Sequence, residues 1–528
     1  MRPGLKGLSM ITLLAISCGS ENRESAPALI SLNLKRGDIV SCGPAEPQYG
    51  SVNFDITASD TIQKQFNLGL SLLHSFEYDD AEKVFAKIID QDSKFAMAYW
   101  GVAMSNNHSL WAPPTPAELE KGAAAIEIAQ SVKDKSAMET AFIDATAEFY
   151  RNRASADHAS RTAALERAME KLYARYSQNI EAAIFYSLAL NAAADPKDKS
   201  FFKQKKAGKI LDSLFATNPI HPGVVHYIIH SYDYPELAGA ALEAARKYAS
   251  IAPSSAHAQH MPSHVFTRLG LWDEDITSNL ASVASAKCYA ENNGIDGHWD
   301  EELHGLDYLV YAYLQKGDSA EAKVYVDYLD TIKKAEPENF KVAYAYAAVP
   351  VRYVLENRQW NAAAKLKFHP DNFPWERYPW QKAILHFGRS IGNVHVGNIP
   401  AAENEVHSMK ILYDTLIAQG DVYKADQVLI QMQSAKAWIL FKKGENDEAL
   451  KLMQEAADRE DNTQKHPVTP GEVLPAREML GDMLLAMNKA DEAVAAYEAD
   501  LKTHPHRRNG LIGLASAKDQ IKKKSLSR

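Results

Sequence analysis

Cysteine is scarce: three in 528 residues, too few for a fold built on disulfides. No apolar run reaches the roughly 20 residues needed to span a bilayer. Basic charge is not in excess either. Lys and Arg number 58 against 67 Asp and Glu, a net charge of −9, whereas a nucleic-acid binder needs a basic patch. Glycine (26) and proline (23) are modest, which excludes collagen-like and low-complexity chains. The phosphate-binding Gly-x-x-x-x-Gly-Lys loop, the dinucleotide Gly-x-Gly-x-x-Gly and the zinc-protease His-Glu-x-x-His are all missing, as is the Gly-x-Ser-x-Gly elbow. What remains is ordinary globular material, 46% hydrophobic and 24% charged, with 18 histidines spread unevenly along it.

The first segment reads as an address. Arg2 and Lys6 precede a short apolar stretch, Leu8 to Ile16, the pattern of a secretion signal over residues 1–17. It runs into Leu14-Ala15-Ile16-Ser17-Cys18-Gly19, which resembles a bacterial lipobox except that Ala15 stands where leucine is usual. That resemblance implies lipidation of Cys18 and an exported protein on the periplasmic face of a bacterial membrane, with Gly19 favouring the outer membrane. Membrane attachment would be through this N-terminal anchor only. Residues 18–59 then read as a spacer and extended leader. Cys42 and Cys288 are free to pair in an exported compartment, but spacing alone leaves their pairing open.

From residue 60 the pattern is helical and repeats at about 34 residues, the period of a tetratricopeptide (TPR) array. Gly69, Ala81 and Phe85 occupy the small, small and aromatic positions of one repeat; Leu480, Gly481, Leu484, Ala493, Tyr497 and Pro505 occupy those of another. Ala437, Leu440, Ala449 and Ala456 mark a third, and Leu309, Tyr313, Ala322 and Val326 a fourth. The small residues let paired helices approach and the bulky ones fill the gap to the next pair, so stacking is obligatory. The expectation is an all-α solenoid over residues 60–515, followed by a basic C-terminal tail, 516–528. Three interruptions stand out: a capping box at Thr115, Pro116 and Glu118, the aromatic loop 368–380, and the long loop 461–475. Long loops in compact repeats are either functional or fillers of irregular gaps.

The histidines cluster. His221, His226, His230, His257, His260 and His264 lie within one short window, and His298 and His304 follow. Pro222 suits a helix start, after which His226 and His230, four apart, share a helical face, with Asp233 placed as a third ligand or as a partner of the ligands. Pro262 places His264 in a first helical turn and His260 on the incoming chain. That helix start, with Arg268 beyond it, also suits an anionic ligand. Glu301, His304 and Asp307 form one stripe at spacings of three. Neighbouring hairpins could bring these residues to one concave surface over 221–307. Imidazole and carboxylate donors together suit Zn, Fe, Ni or Cu, and a metal-free polar pocket remains the alternative.

The strings "SLLHSFEYDDAEKVFAKIID", "AMAYWGVAMSNNHSLWAPP", "HPGVVHYIIHSYD", "HAQHMPSHVFTRLG", "ELHGLDYL" and "HPVTPGEVLPAREMLGDMLL" resemble a family of exported bacterial TPR lipoproteins, most without an assigned activity. The resemblance spans most of residues 40–510 and implies a helical solenoid with a shared pocket, but no reaction. The same strings suggest His74, Trp100, His108 and Trp111 as pocket members beside His257 and Arg268. The leading expectation is a membrane-tethered protein that binds a protein partner or small ligand through a His- and Trp-lined concavity. The alternative is a transition-metal protein or metal-dependent enzyme using His226, His230, His260, His264, His304, Asp233, Glu301 and Asp307.

Overall fold

The structure, a computed structural model, describes residues 32–526 apart from 45, 47, 109, 111, 112 and 465. The expected signal segment, Cys18 and Trp111 therefore lie outside the described residues. The chain is a stack of antiparallel helical hairpins that begin at residues 60, 96, 137, 180, 222, 256, 300, 340, 379, 422 and 476, closed by a last helix, Arg508–Leu526. The segment expected as a basic tail is thus helical as far as Leu526. The hairpins recur at wider intervals than 34 through most of the stack, because longer turns or longer helices extend them. Among the described residues the strands amount to one short parallel pair, His298–Trp299 with Ala335–Glu336. No helix of the described residues is long and apolar enough to cross a membrane.

The small–aromatic rule is visible at both ends of the stack. A Cβ on Gly69 would stand 2.8 Å from the Phe85 ring, and one on Gly101, in the next hairpin, 2.6 Å from the same ring. Gly481 and Gly513 flank Tyr497 in the same way, at 2.7 and 2.2 Å. One aromatic ring is thus clasped between glycines of successive repeats, which sets how closely the hairpins approach. Thr115 forms the expected capping box with Glu118, satisfying two orphan backbone donors of its helix.

Some of the hairpins' first helices are buried throughout. Ala96–Ser105 and Pro222–Tyr232 are buried along their whole length, as expected for helices apolar on every side. Two segments fill the interior. The leader lies along the body: Ser51 N–H donates to Ile220 O at 3.1 Å, Gln48 and Ser254 exchange bonds, and Cys42 is disulfide-bonded to Cys288. The loop 461–475 enters from the other end, where Arg268 donates to Thr469 O and Pro470 O and Arg352 donates to Gly471 O. The 368–380 loop is packing: Trp375 and Trp380 are buried in the C-terminal core. Two apolar cores result, one ending at Phe266 and the other beginning at Ile276. Histidines gather at their junction.

Candidate metal centre

Local sequence places the candidate ligand side chains. Pro222 occupies the first turn of Pro222–Tyr232, its fixed φ being suited to that position, and His226 and His230 follow one turn apart. Ser255 caps the short helix Ala256–His260 through Ala258 N–H, which carries His257 and His260. Pro262 starts Pro262–Leu269, with His264 in its first turn. Glu301 and His304 lie near the start of Asp300–Lys316. The expected single ligand surface is instead two separate triads: His226, His230 and His257 form one, and His260, His264 and His304 the other.

In the second triad the Nε2 atoms of His260 and His264 face each other at 3.1 Å. The far nitrogen of each ring is committed. His264 Nδ1–H donates to Asp233 Oδ2 at 2.8 Å, and that carboxylate is paired with Arg268 at 3.2 Å. His260 Nδ1–H donates to Asn279 Oδ1 at 2.7 Å, while the Asn279 amide nitrogen donates to Asp275 O at 3.0 Å, which fixes the orientation of the amide. With both protons on Nδ1, both Nε2 atoms present lone pairs to each other. Protonation of His260 itself is a poor remedy, because burial, followed by the His264 charge, holds it well below the usual imidazole range. His304 is held low too, by burial and then by His260. A metal cation between the lone pairs would resolve the conflict, as would a proton on His264, whose ring is paired with the Asp233 carboxylate. Around a tetrahedral ion with Zn–N bonds of about 2.0–2.1 Å, such nitrogens would stand ~3.3 Å apart. The Asp233–His264 pair is the carboxylate–histidine arrangement that orients metal ligands.

The first triad has a different polar frame. His226 Nδ1–H donates to the His74 carbonyl at 2.6 Å, leaving Nε2 as an acceptor. His230 Nε2 lies 2.9 Å and His257 Nε2 3.2 Å from it. Here an N–H on either neighbour can satisfy the lone pair. The Phe76 ring lies against all three rings, at centroid separations of 4.5, 5.6 and 5.4 Å.

In a third group, His74, Glu181 and His221, a carboxylate joins the two rings by hydrogen bonds, while the buried Nδ1 of His221 is left without one. Glu181 accepts from His74 at 2.8 Å and from His221 at 2.9 Å, and Tyr227 OH lies 3.1 Å from the other His74 nitrogen. Burial opposes the Glu181 charge, but the two histidines outweigh it and hold the carboxyl at about 2. Neither Glu181 nor His221 was among the expected site residues. Nothing local in the sequence marks Glu181, which joins His74 only through tertiary packing.

The remaining expected residues part company. Trp100 is a correction: it is core, its Nε1–H donating to Thr146 Oγ1 at 2.8 Å and its ring packed against Phe66, Phe142 and Phe185. Asp307 is a second correction, since its carboxylate is taken by Arg352 and it belongs to neither triad. His74 is fully buried and held by Glu181. Arg268 spends its donors on Asp233 and the 461–475 loop and so acts as a brace. His257 belongs to the first triad. His108 stacks on Tyr78 at 4.9 Å, whose ring stacks in turn on Phe76. Asp233 serves as the partner of His264. Glu301 gives Oε1 to Lys341, while its buried Oε2 has no hydrogen-bond partner and stands 3.9 Å from His257 Nδ1. Burial opposes its charge, yet Lys341, then His257 and His304, hold the carboxyl well below the usual range.

A cleft of about 380 Å³ opens between hairpins of the N-terminal half and residues 423–467. His230 and Asp233 line it on one side with Asn191 and Gln204, and Tyr423, Gln464 and His466 on the other. It therefore reaches a ligand of the first triad and the residue that orients His264.

No protein-family model matches the chain, and no curated protein is similar to it. Among solved structures it is similar to the TPR domain of P58(IPK), with 13% identity over 88% of this chain and 99% of that one, at a TM-score of 0.22. It is also similar to Naa15/Naa10 bound to HypK-THB, with 12% identity over 82% of this chain and 62% of that one, at a TM-score of 0.24. Superpositions this loose carry nothing about the site; the solenoid is evident in the chain's own stacked hairpins.

Proposed function

We propose that the protein holds a divalent transition ion, of the Zn, Fe, Ni or Cu class, at His260, His264 and His304, beside a cleft that admits a small ligand. One observation carries this reading: the facing Nε2 lone pairs of His260 and His264, each fixed by an acceptor behind its ring. Three imidazoles leave a further coordination position, the arrangement that catalytic metal sites use. Elemental analysis of protein purified without a metal-affinity tag tests it. Stoichiometric metal that His264→Ala loses while remaining folded supports the reading; metal-free protein that takes up no Zn²⁺ on dialysis would sink it.

The setting we propose is outside the cytoplasm, tethered through Cys18. The signal-like segment supports this, and the Cys42–Cys288 disulfide fits an oxidising compartment. A Cys18→Ala variant should leave the membrane fraction; if it stays there, the anchor is wrong. A protein partner is the second reading, and it draws on the habit of repeat solenoids to act as scaffolds. Apolar side chains such as Val324 and Ile411 are exposed on the outer helices, though isolated residues of this kind are ordinary on protein surfaces.

A further inference from the structure

The two triads are linked by a repeated spacing. His230 belongs to the first and Asp233, three residues on, holds a ring of the second. His257 belongs to the first and His260 to the second. Glu301 stands by His257 of the first, and His304 belongs to the second. Each of three segments thus serves both clusters at a spacing of three residues, which on a helix separates Cβ atoms by about 5–6 Å. The clusters are immediate neighbours.

In the first triad the Nε2 atoms of His226, His230 and His257 converge at 2.9 and 3.2 Å, close to the ~3.3 Å that ligands of a tetrahedral ion adopt. His226 is fixed as a ligand by the carbonyl behind its ring, and Phe76 forms an apolar wall over the set. His230 borders the cleft, so an ion there is reached from it. Glu301 Oε2, buried and without a hydrogen bond, stands near the His257 nitrogen that faces away from the triad. At 3.9 Å the two are too far apart to bond, yet a ring drawn onto an ion through Nε2 carries its proton on Nδ1, facing that oxygen.

We propose a two-ion centre, in which a second divalent transition ion binds His226, His230 and His257 beside the ion of His260, His264 and His304, with Glu301 Oε2 as the acceptor that positions His257. This rests on the first site being a metal site. Glu301 is a positioning residue here, one helical turn before His304.

Co²⁺ titration of the untagged, metal-stripped chain tests it, with bound ion counted by elemental analysis and its geometry read from the ligand-field absorption. Two ions per chain are expected. His226→Gln should bind one, with the spectrum of the tighter site retained. Glu301→Gln should weaken the second ion by about 10–100-fold, the usual effect of removing a ligand's orienting partner, and leave the first unchanged. Glu301→Asp should restore part of the loss, which a purely structural role would not produce. Circular dichroism and urea midpoints confirm that each variant is folded. One ion per chain, unaffected by His226→Gln, overturns the two-ion centre and leaves the first site standing. No ion at all overturns both.

Discussion

His226, His230 and His257 make up one cluster and His260, His264 and His304 another, with the same ring count and nearly the same spacing. They differ behind the rings. In the second cluster a carboxylate braced by an arginine and an amide braced by a backbone carbonyl hold the Nδ1 protons of both rings, so that the neutral rings turn lone pairs toward each other. In the first, a backbone carbonyl fixes one ring and a neighbour's proton can meet its lone pair. If the proposed metal site holds, the acceptors on the outer nitrogens set metal preference as much as the number of rings does. The His74–Glu181–His221 group extends the contrast: its carboxylate sits between the rings and accepts a hydrogen bond from each.

The largest expected effect separates the two triads. His264→Ala should lose the tightly retained ion, by about 100-fold or more in affinity, whereas His230→Ala should keep it; equal losses in elemental analysis would erase the distinction. Next comes Asp233→Asn, which leaves all six rings in place but weakens the brace on His264. A loss of about 10–100-fold in metal affinity is expected, measured by competition with a chromophoric chelator, and an unchanged affinity would show that the brace is irrelevant. Gly223→Ala probes the third group. Its added Cβ would lie 2.6 Å from His74 Nδ1, so urea unfolding should show a loss of about 1–3 kcal/mol from overpacking with metal content unchanged. The smallest effect lies outside the clusters, at His395, which burial, then Lys442 and Arg358, lower to about 4. Because this folded value lies below the unfolded one, the stability this ring contributes is complete above pH 6.5 and is lost as pH falls toward 4. His395→Gln should flatten that slope in thermal melts between pH 7 and 4; an unchanged slope would assign the pH dependence to the buried clusters.

Much of the architecture was legible along the chain. The Gly69–Phe85 and Gly481–Tyr497 pairs, the Thr115 cap and the helix start at Pro222 follow from short-range rules, and each is where those rules put it. The His226–His230 face was legible for the same reason. The division into two triads was not, because His257 and His260 are only three residues apart and spacing does not say which way each ring turns. Trp100 was misplaced because a tryptophan in a distinctive string looks the same whether it lines a pocket or fills a core. Asp307 was misread because its partner, Arg352, comes from another hairpin. Asn279, which fixes the tautomer of His260, carries no sequence signal at all.

The sequence by itself determined the repeating helical hairpins, the glycine–aromatic clasps between them and the stretch in which histidines concentrate, since all of these depend on residues within about one repeat of each other. Only the tertiary structure decided that Cys42 meets Cys288, that the 461–475 loop braces Arg268, and that the histidines divide into two triads with Glu301 beside them. Those outcomes depend on which segments the stack brings together across the junction of its two cores. The proton positions on which the proposed metal site rests depend on acceptors supplied by those distant segments.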